Sequence, residues 1–501
     1  MFFRTATRVS LPALALVLLG ALALGAWLRF DRIGDRPMHT DEAVAAAKLG
    51  ILIEDGTFQY DPHEYHGPAL PYLGRVAAWL RGEASYQELD EATLRAVPAV
   101  LGLALIAMLA FAASGLGREG VVGAALLTAV SPMMVYYGRY YIMEMALAAF
   151  AFGMILCGWR YYLTRSAGWI VGAGIFAGLM HATKETCVIN FAAMGAALLA
   201  ARIMAEFSAG LRVQRGRQRG RATRHFLYAA LAAAAVSALL FSSFFTNPQG
   251  PLDSVTTYLH YLDRAGGEGH EKPWWYYLKL LWGKRDGIYW TEAAIVILAL
   301  IGAGNAFFGK TLHRGEQHHF KRFIAIYAFV LIVFYSAISY KTPWSILCAQ
   351  HALILLAGVG AGWLIEDMRN RWALAAALLA FGAILYNLAI QSRKATLLYP
   401  ADQRNPYAYA HTSASLPRLV EKLNALRELN GGELKVQVVH PESGWPLPWY
   451  LRTWATAGFR PTTEPGDGIE DADVIIIDAA HAKELSGRLE AAGKAFKSSF
   501  G

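Results

Sequence analysis

The stretch LPALALVLLGALALGAWL (Leu11–Leu28) runs, after a short charged linker, into MHTDEA (Met38–Ala43). The first part is an unbroken apolar run within the roughly 17–25 residues that a helix needs to cross a bilayer. It follows Arg4 and Arg8, as a signal peptide would, but is longer than the 7–15 residue apolar region typical of those. Many similar runs come after it, so it reads as a retained first helix. The second part places two carboxylates just past the end of that helix. An α-helical polytopic membrane protein with polar chemistry at one membrane face is the expectation.

The rest of the chain agrees. Of 501 residues, 55% are hydrophobic and 17% charged, against roughly 25% charged in ordinary globular chains. So little charge excludes a large soluble protein, a coiled coil and a disordered chain. About eleven spans are expected: Leu11–Leu28, Leu94–Leu116, Gly120–Tyr137, Met143–Leu163, Gly168–Thr183, Val188–Met204, Phe226–Phe245, Ile288–Phe308, Phe323–Tyr340, Ser345–Ile365 and Trp372–Ile390. Pro68–Leu80 is short, holds Pro71 and Arg75, and is expected in the interface or re-entering from outside.

The net charge of +8, from 46 basic and 38 acidic residues, would suggest nucleic acid in a soluble protein. Here it is sorted by loop. Arg212, Arg215, Arg217, Arg219, Arg221 and Arg224 form one linker without acids; Lys310, Arg314, Lys321 and Arg322 mark another, and Arg160 with Arg165 and Arg369 with Arg371 two more. An inside N-terminus puts all of them on the cytoplasmic face of the inner or plasma membrane. No nucleic-acid partner is called for. The outer side then receives loops 29–91 and 246–289 and the C-terminal tail. The second loop carries Trp274, Trp275, Tyr276, Tyr277 and Trp282, suited to the headgroup level.

Two regions follow: a transmembrane module over residues 1–391 and a small extracytoplasmic α/β domain over 392–501. In the latter, Leu416–Leu429 reads as an amphipathic helix, Leu434–Val439 and Val474–Ile477 as strands, and Ala479–Ala492 as a helix. Cys157, Cys187 and Cys348 lie in or beside apolar runs and read as core residues, not as a disulfide framework. Gly304 to Thr311 matches the phosphate-loop pattern, but at the end of an apolar run and without the strand that motif requires.

The candidate chemistry clusters outside. In His39-Thr40-Asp41-Glu42, Thr40 is a natural helix cap and the acids suit the first turn; equally, Asp41 is a carboxylate placed as a general base. Tyr60 to Pro68 packs His63, Glu64, Tyr65 and His66 together; Asp41 and His66 are candidate ligands for a divalent metal, the one cofactor the sequence leaves open. Arg139, Tyr140 and Glu144 follow Ser131-Pro132 at the end of the third span. Lys184-Glu185 ends the fifth, and Tyr340-Lys341 the ninth. Each cation alone suits a snorkelling anchor; together they bring acids and cations to one face, as an anionic lipid headgroup beside a general base requires.

Asp-Glu after the first span, Ser-Pro…Tyr-x-Arg…acid after the third and Lys-Glu after the fifth resemble the protein O-mannosyltransferase family and the wider GT-C class of lipid-phosphate-sugar glycosyltransferases. The His-Thr-Asp-Glu-Ala and Tyr-His-Gly-Pro stretches, with Trp445 to Arg452, are also similar to a branch known as flippase-activity-associated protein. The resemblance implies a GT-C fold with an extracytoplasmic site. Asp41 would be its base, Glu42 and His39 neighbours placing donor or acceptor, and Arg139 and Lys184, with Lys341, would face the lipid phosphate. His66, Tyr65, Tyr140, Glu144, Glu185 and Tyr340 would complete the substrate site. It implies inverting transfer from a polyprenyl-phosphate-linked sugar to a lipid, glycan or protein acceptor. Members that mannosylate proteins carry a β-trefoil domain in a late loop, for which this chain has no room. The rival readings are a transporter or flippase of lipid-linked glycans, and a non-catalytic membrane scaffold that binds partners through Trp445–Arg452.

Overall fold

The structure, a computed structural model, describes residues 9–477 except 65, 209–218, 265–268, 286, 310–314, 367, 441–443 and 462–468, together with 482, 485 and 487. Helices dominate, as the lipid phase demands: a helix satisfies its own backbone groups where no water can. Eight helices are long and apolar enough to cross a membrane: Leu11–Phe30, Glu91–Leu116, Glu144–Thr164, Cys187–Met204, Ala222–Phe241, Gln317–Ala337, Pro343–Glu366 and Arg371–Leu398. They correspond to eight of the eleven expected spans, and the protein is a multi-pass membrane protein.

The other three expected spans are shorter helices. Gly120–Tyr137 is broken at Ser131 into Arg118–Val130 and Pro132–Tyr137, because proline opens a new helix there. Gly168–Thr183 becomes Ala167–His181, and the run from Ile288 turns helical only at Ala293. Tyr289 and Trp290 instead pair antiparallel with Lys284 and Arg285. Segment 68–80 forms the helix Ala69–Arg81, whose Val76, Trp79 and Leu80 are exposed. Gly304 lies inside helix Ala293–Phe308, so the first part of the phosphate-loop pattern is helical; Lys310 and Thr311 lie outside the described residues.

The helix Leu347–Glu366 is the centre of the bundle, buried between Arg118–Val130 and Ala293–Phe308. Small residues allow that approach. A side chain at Gly302 would collide with the Leu356 carbonyl, and one at Gly360 with that of Leu298. All three cysteines are buried and free.

Beyond the last span the chain turns back as a strap, 399–412, which meets His39 and His270 through Tyr409. Tyr407 and Tyr409 join the main core. Only then does the small α/β unit begin, with its own core of Leu423, Leu434, Val436, Val438, Leu447, Leu451 and Trp454. Its helix Leu416–Leu429 and strand Val474–Ile477 fall where the pattern placed them, and the expected Leu434–Val439 strand is formed by Val436–Val439. A third strand, Ala457–Arg460, was not anticipated. The order is Ala457–Arg460, Val436–Val439, Val474–Ile477, all parallel, with Val436 opposite both Ala457 and Val474. The expected helix 479–492 lies outside the described residues, 482, 485 and 487 aside.

Candidate active site

Helix Thr40–Glu54 is capped by His39, not by Thr40. The His39 Nδ1 accepts from the Asp41 amide at 3.1 Å, and Glu42 Oε2 accepts from the His39 amide at 3.0 Å, a closed capping box. Adjacent helical residues point about 100° apart. Asp41 therefore faces out, its side chain half exposed, while Glu42 is fully buried.

Glu42 is consequently not a substrate contact but the centre of an anchoring cluster. Its Oε1 accepts from Arg36 at 2.7 Å, from Arg95 Nε at 3.0 Å and from the Tyr141 amide at 3.0 Å; Arg95 Nη2 reaches Oε2 at 3.1 Å. Burial alone would raise the Glu42 carboxyl, but Arg36 and Arg95 outweigh it and hold it well below the usual carboxylate range. Arg95 also donates to the carbonyls of Ile33, Arg36 and Pro37, fixing the linker that delivers His39 and Asp41. Arg36 lies 3.5 Å from the centre of the Tyr140 ring, which is buried and hydrogen-bonded to Tyr136.

Asp41 opens onto a cavity of about 350 Å³. Its walls come from Lys48 on the same helix, from His63, Glu64 and His66, from Glu144, from Lys184 to Thr186, and from Tyr340, Thr342 and Trp344. Asp41, Val44, Ala45 and Lys48 follow the helical repeat that puts residues on one face. Acids and cations pair along the walls: Lys184 with Glu144 at 2.6 Å, and Lys48 with Glu64. Between them sit His66 Nδ1 and Glu185 Oε2, 3.6 Å apart, both buried and neither hydrogen-bonded. Burial would raise the Glu185 carboxyl; His66 and Lys184 nevertheless hold it below its ordinary value.

A backbone pairing aligns these last groups. His66 bridges Lys184 antiparallel, and the Gly67 and Ala69 amides donate to Thr183 and Ala182 at 3.2 and 2.8 Å. A Cβ at Gly67 would strike the Ala182 carbonyl. Gly67→Ala is therefore expected to displace His66 from Glu185 and cut turnover at least about tenfold, since near-angstrom misplacement is costly in a positioned site. Turnover per mole of correctly inserted protein tests this; wild-type rates would contradict it.

Several sequence-based expectations need correction. Arg139 does not face the cavity: its guanidinium is buried, donating to the carbonyls of Leu28, Asp31 and Arg32 at 3.1, 2.7 and 2.9 Å. Lys341 is likewise buried, its ammonium on the carbonyls of Lys272 and Ile338. Both cations neutralise backbone oxygens where the chain leaves a span. His39 packs against Tyr140, His411 and the wall residue Trp344, and neither His39 nor Tyr140 lines the cavity. Tyr65 lies outside the described residues. Asp41 and His66 share the cavity, but among the described residues no three His, Cys, Asp or Glu converge as a metal site. Asp41, His66, Glu144, Lys184, Glu185 and Tyr340 are the expected residues that the fold brings together.

The C-terminal strap braces the same loop. His411 meets Arg36 at 2.9 Å, Thr412 donates to the Met38 carbonyl at 2.7 Å, and Tyr450 accepts from the Met38 amide at 2.8 Å. Trp449, fully buried, donates to Glu91 at 2.8 Å. Much of segment Trp445–Arg452 is thus an internal joint and not a free docking surface.

The fold is that of the GT-C glycosyltransferases. The sequence model of the family described as dolichyl-phosphate-mannose-protein mannosyltransferase matches residues 66–210. ArnT from Cupriavidus metallidurans, solved with undecaprenyl phosphate, superposes with a TM-score of 0.54 at 17% identity, over 87% of this chain and 84% of that one. The oligosaccharyltransferase AglB from Archaeoglobus fulgidus, solved with an inhibitory peptide and a dolichol-phosphate, gives 0.55 at 14% identity. That alignment covers 89% of this chain and 64% of AglB. At these identities the likeness is one of fold. No curated protein sequence matches the chain.

Proposed function

We propose that the protein is an inverting glycosyltransferase that moves a sugar from a polyprenyl-phosphate carrier to an acceptor hydroxyl at the outer face of the membrane. The observation that carries this reading is the half-exposed Asp41 carboxylate, held by the Glu42 anchor, opening onto one cavity with the Lys184–Glu144 pair. Asp41 takes the acceptor hydroxyl's proton as its oxygen attacks the anomeric carbon from the face opposite the phosphate. The new glycosidic bond forms, the bond to the phosphate oxygen breaks, and the configuration inverts. Charge develops on the departing lipid phosphate, where a fixed cation helps most; Lys184, positioned by Glu144, meets it. A sugar hydroxyl that donates to Glu185 and accepts from His66 would satisfy both unbonded atoms at once. ArnT and AglB, solved with undecaprenyl phosphate and a dolichol-phosphate, support the donor class. The arginine-rich linkers support a cytoplasmic N-terminus, with the site and the C-terminal unit outside.

The test leaves the sugar unspecified. Purified protein in liposomes made from native membrane lipids, with a membrane extract as acceptor source, should convert glycosylated polyprenyl phosphate to polyprenyl phosphate and glycosylated acceptor, followed by mass spectrometry. Lys184→Ala should slow that release about 100-fold, the size expected for removing one stabilising donor. Translocation of the lipid-linked sugar across the bilayer without release of the phosphate would favour a flippase instead.

A further inference from the structure

The small α/β unit contains a second cavity, of about 300 Å³, whose lining is distinct from that of the Asp41 cavity. Its position follows from topology. The chain leaves the central strand Val436–Val439 for one edge, Ala457–Arg460, then crosses to the other, Val474–Ile477. Where strand order reverses in an open parallel sheet, the connections diverge and leave a crevice at the carboxyl ends, where ligands bind. The cavity lies at that reversal: Val438, Val439 and His440 end one strand and Ile476 and Ile477 the other. Trp445, Leu447, Thr412, Ser413, Ser415 and Leu416 belong to the same lining.

We propose that this crevice is a subsite for a neutral glycan, holding sugar residues of the acceptor away from the reacting hydroxyl. Among the described residues its lining contains no Asp, Glu, Lys or Arg, and His440 is the one ionisable group there. Aliphatic side chains and the Trp445 indole suit the C–H face of a pyranose. The hydroxyls of Ser413 and Ser415 both donate and accept, as the sugar's own hydroxyls require. Small-molecule sites of this kind are largely apolar with a few polar groups fixing orientation. Thr412, which donates to the Met38 carbonyl, is followed directly by Ser413 in the crevice wall. The crevice and the Asp41 linker therefore share one piece of chain. Naming the glycan as the acceptor rests on the glycosyl-transfer reading; its binding does not.

The experiment uses the full-length protein in nanodiscs on an array of neutral and anionic oligosaccharides. Neutral glycans should be retained and anionic ones not, with Asp41→Asn binding like the wild type. Ser415 is exposed and its hydroxyl, bonded to that of Ser413 at 2.8 Å, makes no helix-cap bond, so Ser415→Trp should leave the fold intact, fill the mouth and weaken binding at least tenfold. Trp445→Phe should bind and Trp445→Ala should not. Wild-type protein that retains no neutral glycan, prefers anionic ones, or binds equally well as Ser415→Trp overturns the subsite. An Asp41→Asn enzyme that still transfers sugar overturns the catalytic reading alone.

Discussion

Asp41→Asn should lower sugar transfer about 10²- to 10⁴-fold, the span that a positioned general base contributes, without changing the amount or melting temperature of the inserted protein. The stability half of this expectation comes from the surroundings of the side chain. Asp41 is half exposed, and the His39 ring lies 3.9 Å from its carboxylate. The cap bond runs from the Asp41 backbone amide to His39, and asparagine keeps that amide. An amide of the same shape fills the same space and removes only the basic oxygen. The result is a comparison in which chemistry and folding separate. Rates within threefold of wild type, in protein of normal stability, would remove Asp41 from the mechanism. Equal losses of rate and of folded protein would make it a structural residue.

How much of this could be read from the sequence divides along a physical line. Spans, their approximate ends and the crowding of chemistry at one face depend on local composition, and the helices Leu11–Phe30 and Leu416–Leu429 follow their patterns closely. Asp41, His66, Lys184 and Glu185 were legible because motifs at successive span ends share one side of the membrane. What was not legible is which cation a carboxylate or carbonyl takes. Arg139 and Lys184 both stand near span ends beside acids and look alike in sequence. Only the fold shows that Arg139 ends on the carbonyls of Leu28, Asp31 and Arg32 while Lys184 ends in the cavity. Lys48 had a signal that went unread, since it lies seven residues after Asp41 on the same helix face. Arg95 had none. It sits in the first turn and a half of an apolar helix, 53 residues from the carboxylate it serves. Strand Ala457–Arg460 failed for a different reason: four residues that include a glycine carry too weak an alternation to stand out.

The anchor behind Asp41 gives the second large effect, and it should be one of stability first. Glu42 and Arg95 are completely buried and Arg36 nearly so. Removing one partner of such a set leaves uncompensated charge in a medium that cannot solvate it, at a cost of about 3–5 kcal/mol. Glu42→Gln would leave two guanidinium groups facing a neutral amide. At roughly 2 °C per kcal/mol for a large domain, the apparent melting temperature in nanodiscs should fall by about 6–10 °C. Arg95→Met should cost less electrostatically, because Arg36 still pairs with Glu42, but should loosen the linker 33–38, whose carbonyls it holds. The double variant Glu42→Gln with Arg95→Met should lose less than the sum of the two, because Arg95→Met removes one of the two guanidinium charges that Glu42→Gln leaves unpaired. The pH dependence carries a definite sign. A carboxyl held below its unfolded value stabilises above that value, and the contribution disappears as pH falls through the depressed folded one. Wild-type melting should therefore hold between about pH 5 and 8 where this group is concerned, with Glu42→Gln lower throughout that range and converging on the wild type only in strong acid. Activity should track stability in this series, in contrast to Asp41→Asn, where activity alone is lost. Additive losses in the double variant, or a Glu42→Gln protein that melts with the wild type, would show that Asp41 is held by something other than this cluster.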